Sequence, residues 1–385
     1  MRPRDPHEPG RSATPLELLF DLCFVVAVAQ AASSLHHGVA EGHASAAILG
    51  YGLAFFAIWW AWMGLTWFAS AFDTDDPLYR VKVFVQIAGV LVLAAGVPRA
   101  FEHRDFTLIT LGYAIMRAGL IAQWLRAAKA NAGLRRTALR YAGGVAALQV
   151  GWLALLAVPP ERWIVGFAVL APLELWVPWW AERAGATPWH PHHIAERYGL
   201  FTIIVIGESV LAATIAIRSA IGYEAIPSDL LAIILSVPVI LFAMWWLYFS
   251  RHAHAFLSTS NRTAFLWGYG HFFVFAAAAA VGAGIGVLVD EATGEAHLPA
   301  VRAGQALALP VALYLVAVWT LHLRQHAAGR SEAAAWLVAA GAVLAAPLTG
   351  WTAPVVALVL TLLTALAVTT RRGAPSSEMD PFGLA

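Results

Sequence analysis

Ionisable residues interrupt two otherwise apolar stretches of the chain. The first stretch, residues 16–25, contains Glu17 and Asp21, which are four positions apart and therefore share one face of a helix. Two acids on one face repel each other unless a cation or a shared proton lies between them. Glu17 also fits a helix-start acid, because Thr14 and Pro15 form an N-cap and N1 pattern before it. Asp21 lies deeper, and we expect it to pair with a basic group or to face a polar cavity.

The second stretch, residues 193–209, begins with a cluster of ionisable side chains. His193 and Arg197 are four positions apart, as are His192 and Glu196, so each pair shares a helix face. This pattern is typical of a cytoplasmic-side gate for ions or protons. Two alternatives stay open: a salt-bridge cluster that fixes the helix end, and a metal site built from His192, His193 and Glu196. The spacing is loose for a metal, and we predict no metal site.

A third feature is a carboxylate deep within the second apolar stretch. Glu208 lies twelve residues beyond Glu196, about 18 Å along a helix and well within the hydrocarbon. Gln30 lies thirteen residues beyond Glu17, at a similar depth. Transporters built from repeats bind substrate near the midplane, so these positions are candidates for transport or proton coupling. The rival interpretation of Glu208 is a protonated acid hydrogen-bonded within the helix bundle.

Polar residues inside other apolar segments are candidate partners for these acids. We name Arg117, His271 and Glu174 as the candidate buried partners, although the sequence does not pair them. The 17 Trp residues mostly fall toward segment ends, where an interfacial aromatic belt is the expected role.

The composition indicates the environment in which these residues lie. Hydrophobic residues make up 60% of the 385 residues and charged residues 12%, against roughly 25% charged in soluble domains. The segments are long and continuously apolar, which predicts an all-α polytopic membrane protein embedded in the lipid bilayer. A net charge of +1 gives no indication of a nucleic-acid partner, and the single cysteine, Cys23, excludes an internal disulfide. No phosphate-binding loop and no nucleophile elbow is present, so we expect neither an ATP-driven pump nor an enzyme, and no cofactor.

Twelve apolar segments are long enough to span a membrane. They lie near 16–35, 45–70, 79–98, 106–125, 138–158, 162–181, 195–217, 229–250, 264–288, 302–322, 333–348 and 351–370. If the N-terminus is cytoplasmic, eighteen of the 24 Lys and Arg residues fall on the cytoplasmic side, as the positive-inside rule requires. We therefore expect both termini to be cytoplasmic, with a polar N-terminal segment at 1–15 and a disordered tail at 371–385.

The two halves of the chain resemble each other. A Trp59-Trp60 pair in the second segment is matched by Trp245-Trp246 in the eighth, 186 residues later. We predict two parallel six-helix halves, 16–182 and 183–370, related by an axis along the membrane normal. The alternative is chance similarity between apolar segments in which Trp and Phe are common.

The two organising stretches resemble motifs of the bacterial low temperature requirement A family. In the first, Glu17-Leu18-Leu19-Phe20-Asp21-Leu22-Cys23-Phe24-Val25 follows the family pattern, with Leu19 where a second aromatic residue is frequent. In the second, the run from Glu196-Arg197 through Gly199-Leu200-Phe201 and Ile203-Ile204 to Gly207-Glu208 follows the pattern closely. The resemblance covers most of residues 14–370. It implies a polytopic membrane protein linked by name to growth in the cold, without an established activity.

Together these features predict a multi-pass inner-membrane protein that works as a proton- or ion-coupled transporter of an unknown small substrate or ion. Glu208, Asp21 and the Glu196–Arg197 cluster would carry the coupling. The alternative is a structural or stress-adaptation protein in which the buried acids only stabilise the helix bundle. A third and weaker alternative is an intramembrane enzyme at the histidine cluster around His193.

Overall fold

The computed structural model of the chain describes residues 1–159, 162–220, 227–250, 257, 260–323 and 330–371. These residues form twelve α-helices and no β-strand. The first six are α1 (Pro15–Ala40), α2 (Ala44–Phe72), α3 (Pro77–His103), α4 (Thr107–Ala130), α5 (Arg135–Leu155) and α6 (Trp163–Glu182). The other six are α7 (Pro191–Ala220), α8 (Ser228–Tyr248), α9 (Asn261–Thr293), α10 (Ala300–Val318), α11 (Arg330–Ala345) and α12 (Thr352–Arg371). Each helix lies at one of the twelve predicted apolar segments.

Eleven of these described helices are long and apolar enough to cross a membrane, α10 and α11 together with the turns that extend them to His322 and Thr349, which confirms the all-helical membrane class. The exception is α5, whose 21 residues extend about 30 Å. Arg140 and Gln149 lie within α5 and reduce its mean hydropathy. The count of twelve spans, the side of each terminus and the internal repeat therefore stay predictions. The predicted disordered tail, 371–385, lies outside the described residues except for the backbone of its first residue.

The helix ends are set by local hydrogen bonds. Backbone groups in hydrocarbon must bond within their own segment, so a long apolar run folds as a helix. Helix α3 begins where the Asp76 side chain accepts a hydrogen bond from the Tyr79 N–H, 3.0 Å away, with Pro77 at the first helical position. Helix α9 begins in the same way at Ser260 and ends at Gly294, whose φ of 79° is left-handed.

The described residues form two compact units, which are treated separately below. Unit 1 comprises residues 1–31 and 53–197, and unit 2 comprises residues 32–52 and the described residues from Tyr198 onward. The boundaries fall inside α1, α2 and α7. This division differs from the predicted halves, 16–182 and 183–370, because residues 32–52 belong to unit 2 and the start of α7 belongs to unit 1.

Within unit 1, α3 and α4 touch along their backbones. A Cβ atom at Gly89 would lie 2.6 Å from the carbonyl oxygen of Gly112. A Cβ atom at Gly112 would lie 2.6 Å from the carbonyl oxygen of Gly89 and would also overlap the backbone nitrogen of Leu93. Side chains at either position would separate the helices, so the close approach depends on glycine.

Within unit 2, α9 lies at the centre. In its membrane-length apolar stretch 78% of the residues are buried, so α9 meets protein rather than lipid on most of its faces. It packs along α10, while α12 packs along α8. Helix α10 continues as a π-helix from Trp319 to Leu323, which contains His322. Such π-helical turns are rare and frequently lie at functional sites.

Candidate functional site

The first carboxylates of the chain meet the start of α7 in unit 1. The Arg197 guanidinium donates from Nη2 to Asp21 Oδ1 over 2.6 Å, and from Nη1 to Glu17 Oε1 over 2.8 Å. Its Nε donates to the second oxygen of Asp21 over 3.2 Å. All three residues are at most 2% exposed. One planar guanidinium therefore clamps two acids that are four positions apart on α1.

Glu17 has two further partners. Its Oε2 accepts hydrogen bonds from the backbone N–H of Thr14 at 2.8 Å and from the Thr14 hydroxyl at 3.0 Å. The Thr14 hydroxyl in turn accepts from the Glu17 N–H at 3.3 Å, which completes a capping box. His193 Nε2 lies 3.2 Å from Glu17 Oε1. Glu17 therefore has both roles at once: it caps the start of α1, as predicted, and it forms an ion pair with Arg197. We call Glu17, Asp21, His193 and Arg197 the buried acid cluster.

Two residues of α2 bond to the buried acid cluster, and the sequence did not suggest them. Trp62 Nε1 donates to Asp21 Oδ1 over 2.7 Å, and the Thr66 hydroxyl lies 3.4 Å from Arg197 Nη2. Trp62 is fully buried, so the predicted role in an interfacial belt is wrong for this residue. The sequence feature that could have indicated this pair is the four-residue spacing of Trp62 and Thr66, which places both side chains on one face of α2.

A further layer of polar residues lies at the same end of unit 1. Arg11 and Asp73 are 4% and 3% exposed, and both interact electrostatically with Glu17. Burial raises the pKa of the Asp73 carboxyl, and the negative charge of Glu17 acts in the same direction. Burial lowers the pKa of the Arg11 guanidinium. The Tyr79 hydroxyl, which interacts with Glu17 and Asp73, is buried without a hydrogen-bond partner among the described residues.

Glu196 and His192 point away from the buried acid cluster. Glu196 Oε2 accepts from the backbone N–H of Ala13 over 3.1 Å, and His192 Nδ1 lies 3.4 Å from the carbonyl oxygen of Arg11. Both side chains thus fasten the N-terminal segment. Among the described residues, no group of three His, Cys, Asp or Glu side chains is arranged to hold a metal ion.

A second buried carboxylate lies elsewhere in unit 1. Glu174 Oε2 accepts from Arg117 Nη2 over 2.7 Å and from Trp60 Nε1 over 3.0 Å, and its Oε1 accepts from Trp152 Nε1 over 2.8 Å. Arg117 and Glu174 are 5% and 1% exposed. Two of the three candidate partner residues, Arg117 and Glu174, therefore pair with each other. This ion pair carries one charge of each sign.

The remaining predicted site residues do not join either cluster. Gln30 is half-buried in unit 1, and its side chain makes no hydrogen bond to the described residues. Glu208, in unit 2, is half-buried and makes neither a hydrogen bond nor an ion pair with the described residues. The neighbouring Ser209 donates to the carbonyl oxygen of Ala278 over 2.9 Å. The rival prediction is that Glu208 is hydrogen-bonded within the helix bundle. No such hydrogen bond is found among the described residues.

His271 lies in unit 2 without a carboxylate partner among the described residues. Its Nδ1 lies 2.8 Å from the carbonyl oxygen of Trp267, which assigns the ring proton to this nitrogen. Its Nε2 then accepts, and it lies 3.0 Å from the Tyr248 hydroxyl and 3.3 Å from His322 Nε2. The prediction that His271 pairs with a buried acid does not fit this arrangement.

A family model described as bacterial low temperature requirement A protein matches residues 12–370. The chain belongs to the bacterial low temperature requirement A family. The match covers both motifs that suggested the family, together with both buried carboxylate clusters. The family description names a requirement at low temperature and no ligand, so low temperature requirement A membership does not assign a reaction.

One relative of this low temperature requirement A chain comes from Rhizobium meliloti (strain 1021) and is named as an uncharacterized protein. The two are 28% identical over 271 residues, which is 66% of this chain and 64% of the relative. The aligned part thus spans less than two thirds of the relative's own length.

Proposed function

We propose that the chain is a multi-pass inner-membrane transporter that couples an unknown substrate to a proton or another small cation at the buried acid cluster. The observation that supports this is a count of charges. Glu17 and Asp21 carry two negative charges, whereas Arg197 carries one positive charge, and all three are buried. A buried charge without compensation is strongly destabilising. One additional positive charge therefore completes the cluster.

His193 is the group best placed to hold this charge as a proton. Its Nε2 lies 3.2 Å from Glu17, and its Nδ1 is buried without a partner among the described residues. Histidine is the side chain that ordinarily exchanges protons near neutral pH. Arg11 and Asp73, in the adjoining layer, add one charge of each sign and leave the excess unchanged.

The Arg117–Glu174 pair provides an internal comparison. It too is buried in unit 1, but its charges are equal in number and all its carboxylate oxygens accept N–H donors. This pair needs no further ion, which supports a structural role for it and the coupling role for the buried acid cluster. Glu208 stays in the proposal as a second proton-exchanging carboxylate, because an acid in an apolar span is costly to retain without a function.

The alternative is a structural or stress-adaptation protein. It is favoured by the Arg197 clamp, which joins α7 to two residues of α1 and to Thr66 of α2. Under this alternative the cluster holds helices together, and no ion exchanges with solvent.

Proton flux into proteoliposomes tests the proposal. The lumen contains a pH-sensitive dye, a pH gradient is imposed, and the membrane potential is clamped. We expect flux in the wild type and at least a tenfold loss in His193→Gln. The matched control is His271→Gln, which removes an equally buried imidazole that lacks a carboxylate partner in the described structure, and we expect its flux to persist. Equal flux in the wild type and His193→Gln contradicts the proposed role of the buried acid cluster. Absence of wild-type flux contradicts proton exchange at this cluster and favours the structural alternative.

A further inference from the structure

Unit 1 contains a pocket between α2, α4, α5 and α6. On α2 it is lined by residues 53–57, whereas the buried acid cluster bonds Trp62 and Thr66 further along the helix. The pocket has about 450 Å³ of empty space, including the part that opens to the surroundings. Only about 40 Å³ of this space admits a water-sized sphere, so a ligand would enter the pocket in part and leave the rest outside. Six aromatic residues provide most of its wall: Phe56, Phe106, Tyr113, Trp152, Trp163 and Phe167.

The rings of the wall hold each other in place. Phe167 meets Phe56 and Trp152 edge-on, with ring centroids 5.4 Å apart in both contacts. Phe106 stacks on Trp163 with centroids 4.5 Å apart and an angle of 16° between the ring planes. Fixed aromatic faces and edges favour a flat ring compound, since such rings pack by offset stacking or edge-on contact.

Hydrogen-bond donors without acceptors lie at the inner wall of the pocket. The Tyr113 hydroxyl accepts from Arg117 Nη2 over 2.7 Å, so its own proton remains for another acceptor. The Thr110 hydroxyl also lines the pocket and makes no hydrogen bond to the described residues. Behind Tyr113, the buried Arg117 Nη1 has no hydrogen-bond partner within the described structure.

The balance of charges beside the pocket favours an uncharged ligand. Glu174 already neutralises Arg117 over 2.7 Å, so an anion would bring an uncompensated charge into a buried site. A cation would find no acid left unpaired at this wall. The unoccupied donors instead suit a neutral acceptor such as a carbonyl oxygen.

We propose that this pocket binds a neutral, lipophilic ring compound that carries a carbonyl acceptor directed at Tyr113. This chemistry is shared by quinones of the membrane and by exogenous aromatic ketones. The inference does not depend on proton coupling, since the pocket and the buried acid cluster have no residue in common.

Calorimetry on the purified full-length protein in detergent tests the inference with two probes. Menadione is a flat, neutral ring system with two carbonyl groups, and 2-methylnaphthalene has a similar shape without them. We expect menadione to bind at least tenfold more tightly, because the hydrocarbon leaves the donors at the wall unpaired. Equal affinity for the two probes overturns the inference.

Two variants separate the pocket wall from the donors. Ala57→Phe fills the pocket and should abolish binding of both probes. Tyr113→Phe should weaken menadione about tenfold and leave 2-methylnaphthalene unchanged, while Thr110→Val reports the share of the second hydroxyl. The thermal unfolding of each variant is measured to verify folding. Unchanged menadione binding in Ala57→Phe contradicts the proposed location.

A third measurement distinguishes the two sources of the ligand. Organic extracts of wild-type protein and of Ala57→Phe, purified in mild detergent, are compared by mass spectrometry. A quinone present in the wild-type extract and depleted in the variant supports a membrane source. Menadione binding without such a co-purified compound supports an exogenous ligand.

Discussion

Trp60 and Trp62 lie two positions apart on α2, and their indole nitrogens donate to two different buried carboxylates. Trp60 Nε1 lies 3.0 Å from Glu174, and Trp62 Nε1 lies 2.7 Å from Asp21. Two positions on an α-helix differ by about 200°, so the side chains leave α2 on nearly opposite sides. Helix α2 therefore contacts the Arg117–Glu174 ion pair on one side and the buried acid cluster on the other. Each contact can be removed by a substitution that leaves the other in place.

Removing each indole donor should separate the two clusters functionally. Trp62→Phe and Trp60→Phe each remove one hydrogen bond to a buried charged group, which is worth about 1.5–3 kcal/mol. We expect both variants to have a lower thermal unfolding midpoint, whereas proton flux per folded protein falls in Trp62→Phe alone. Equal loss of flux in both variants would indicate that flux follows stability rather than the acid cluster.

Arg197 should be the most destabilising position to neutralise. Arg197→Gln leaves two buried acids without their cation, and breaking such a pair costs about 3–5 kcal/mol. The double variant Asp21→Asn/Arg197→Gln should recover a large part of this loss, because one of the two acids is then neutral. A double-mutant cycle measured by thermal unfolding checks the coupling. Additive losses would show that Asp21 and Arg197 do not act as a pair.

The N-terminal attachment should weaken in mild acid through His190. Its Nδ1 accepts from the His193 N–H over 3.3 Å and its Nε2 lies 2.9 Å from the carbonyl oxygen of Glu8. Burial lowers the pKa of His190 below its usual 6.5, and the nearby charges of His192 and Arg11 act in the same direction, opposed by Glu8. Below pH 6.5 the imidazole of His190 therefore binds a proton more readily in the unfolded chain than in the folded chain. The stability that neutral His190 contributes is fully present above pH 6.5 and is lost as pH falls through the lowered pKa.

Thermal unfolding between pH 5 and pH 7.5 measures this effect. We expect His190→Gln, which stays neutral, to lose less stability on acidification than the wild type. His103→Gln, at an exposed position near the end of α3, is the control and should follow the wild-type dependence. A wild-type slope in His190→Gln would refute the assignment.

Glu208 should contribute nothing to stability. Its side chain has neither a hydrogen bond nor an ion pair within the described residues, so Glu208→Gln removes no contact and should lower the free energy of unfolding by at most about 0.5 kcal/mol. If it exchanges protons as proposed, flux nevertheless falls. A large loss of stability would instead reveal a structural partner, and unchanged flux would remove Glu208 from the proposal.

The glycine contact between α3 and α4 should tolerate no added methyl group. Gly112→Ala places a Cβ against the backbone of Leu93 and Gly89, and such overpacking costs about 1–3 kcal/mol. Gly143→Ala in α5 is the matched control, since nothing lies within 4 Å of its added Cβ. The control should be neutral or stabilised by up to about 1 kcal/mol. Similar midpoints for the two variants would contradict the close approach.

The helices could be predicted from the sequence because hydropathy is a local property. Each apolar segment specified its own helix, and only α5, with Arg140 inside it, fell short of the apolar character of a span. The partner of Asp21 could not be predicted in this way, since Arg197 lies 176 positions away along the chain. Whether residues so far apart in sequence meet in space depends on how the helices pack. The sequence therefore offered Arg117 and His271 as equally reasonable partners of Asp21.

The tryptophans show a second limit of the sequence. Their amphipathic rings fit a lipid interface and a buried acid equally well. Trp60 and Trp62 became hydrogen-bond donors because two carboxylates happened to pack beside them. The Trp245–Trp246 pair, which suggested a repeat, is 38% and 48% exposed, so the matching sequence pairs have different surroundings.

The contact between α3 and α4 has a mechanical consequence. Their backbones touch at Gly89 and Gly112, and at the start of α3 the Asp76 carboxylate is bridged to Arg126 near the end of α4 over 2.6 Å. A salt bridge at one end and a close backbone contact along their length oppose sliding of α3 against α4. If unit 1 changes shape, we therefore expect α3 and α4 to move together as one rigid body.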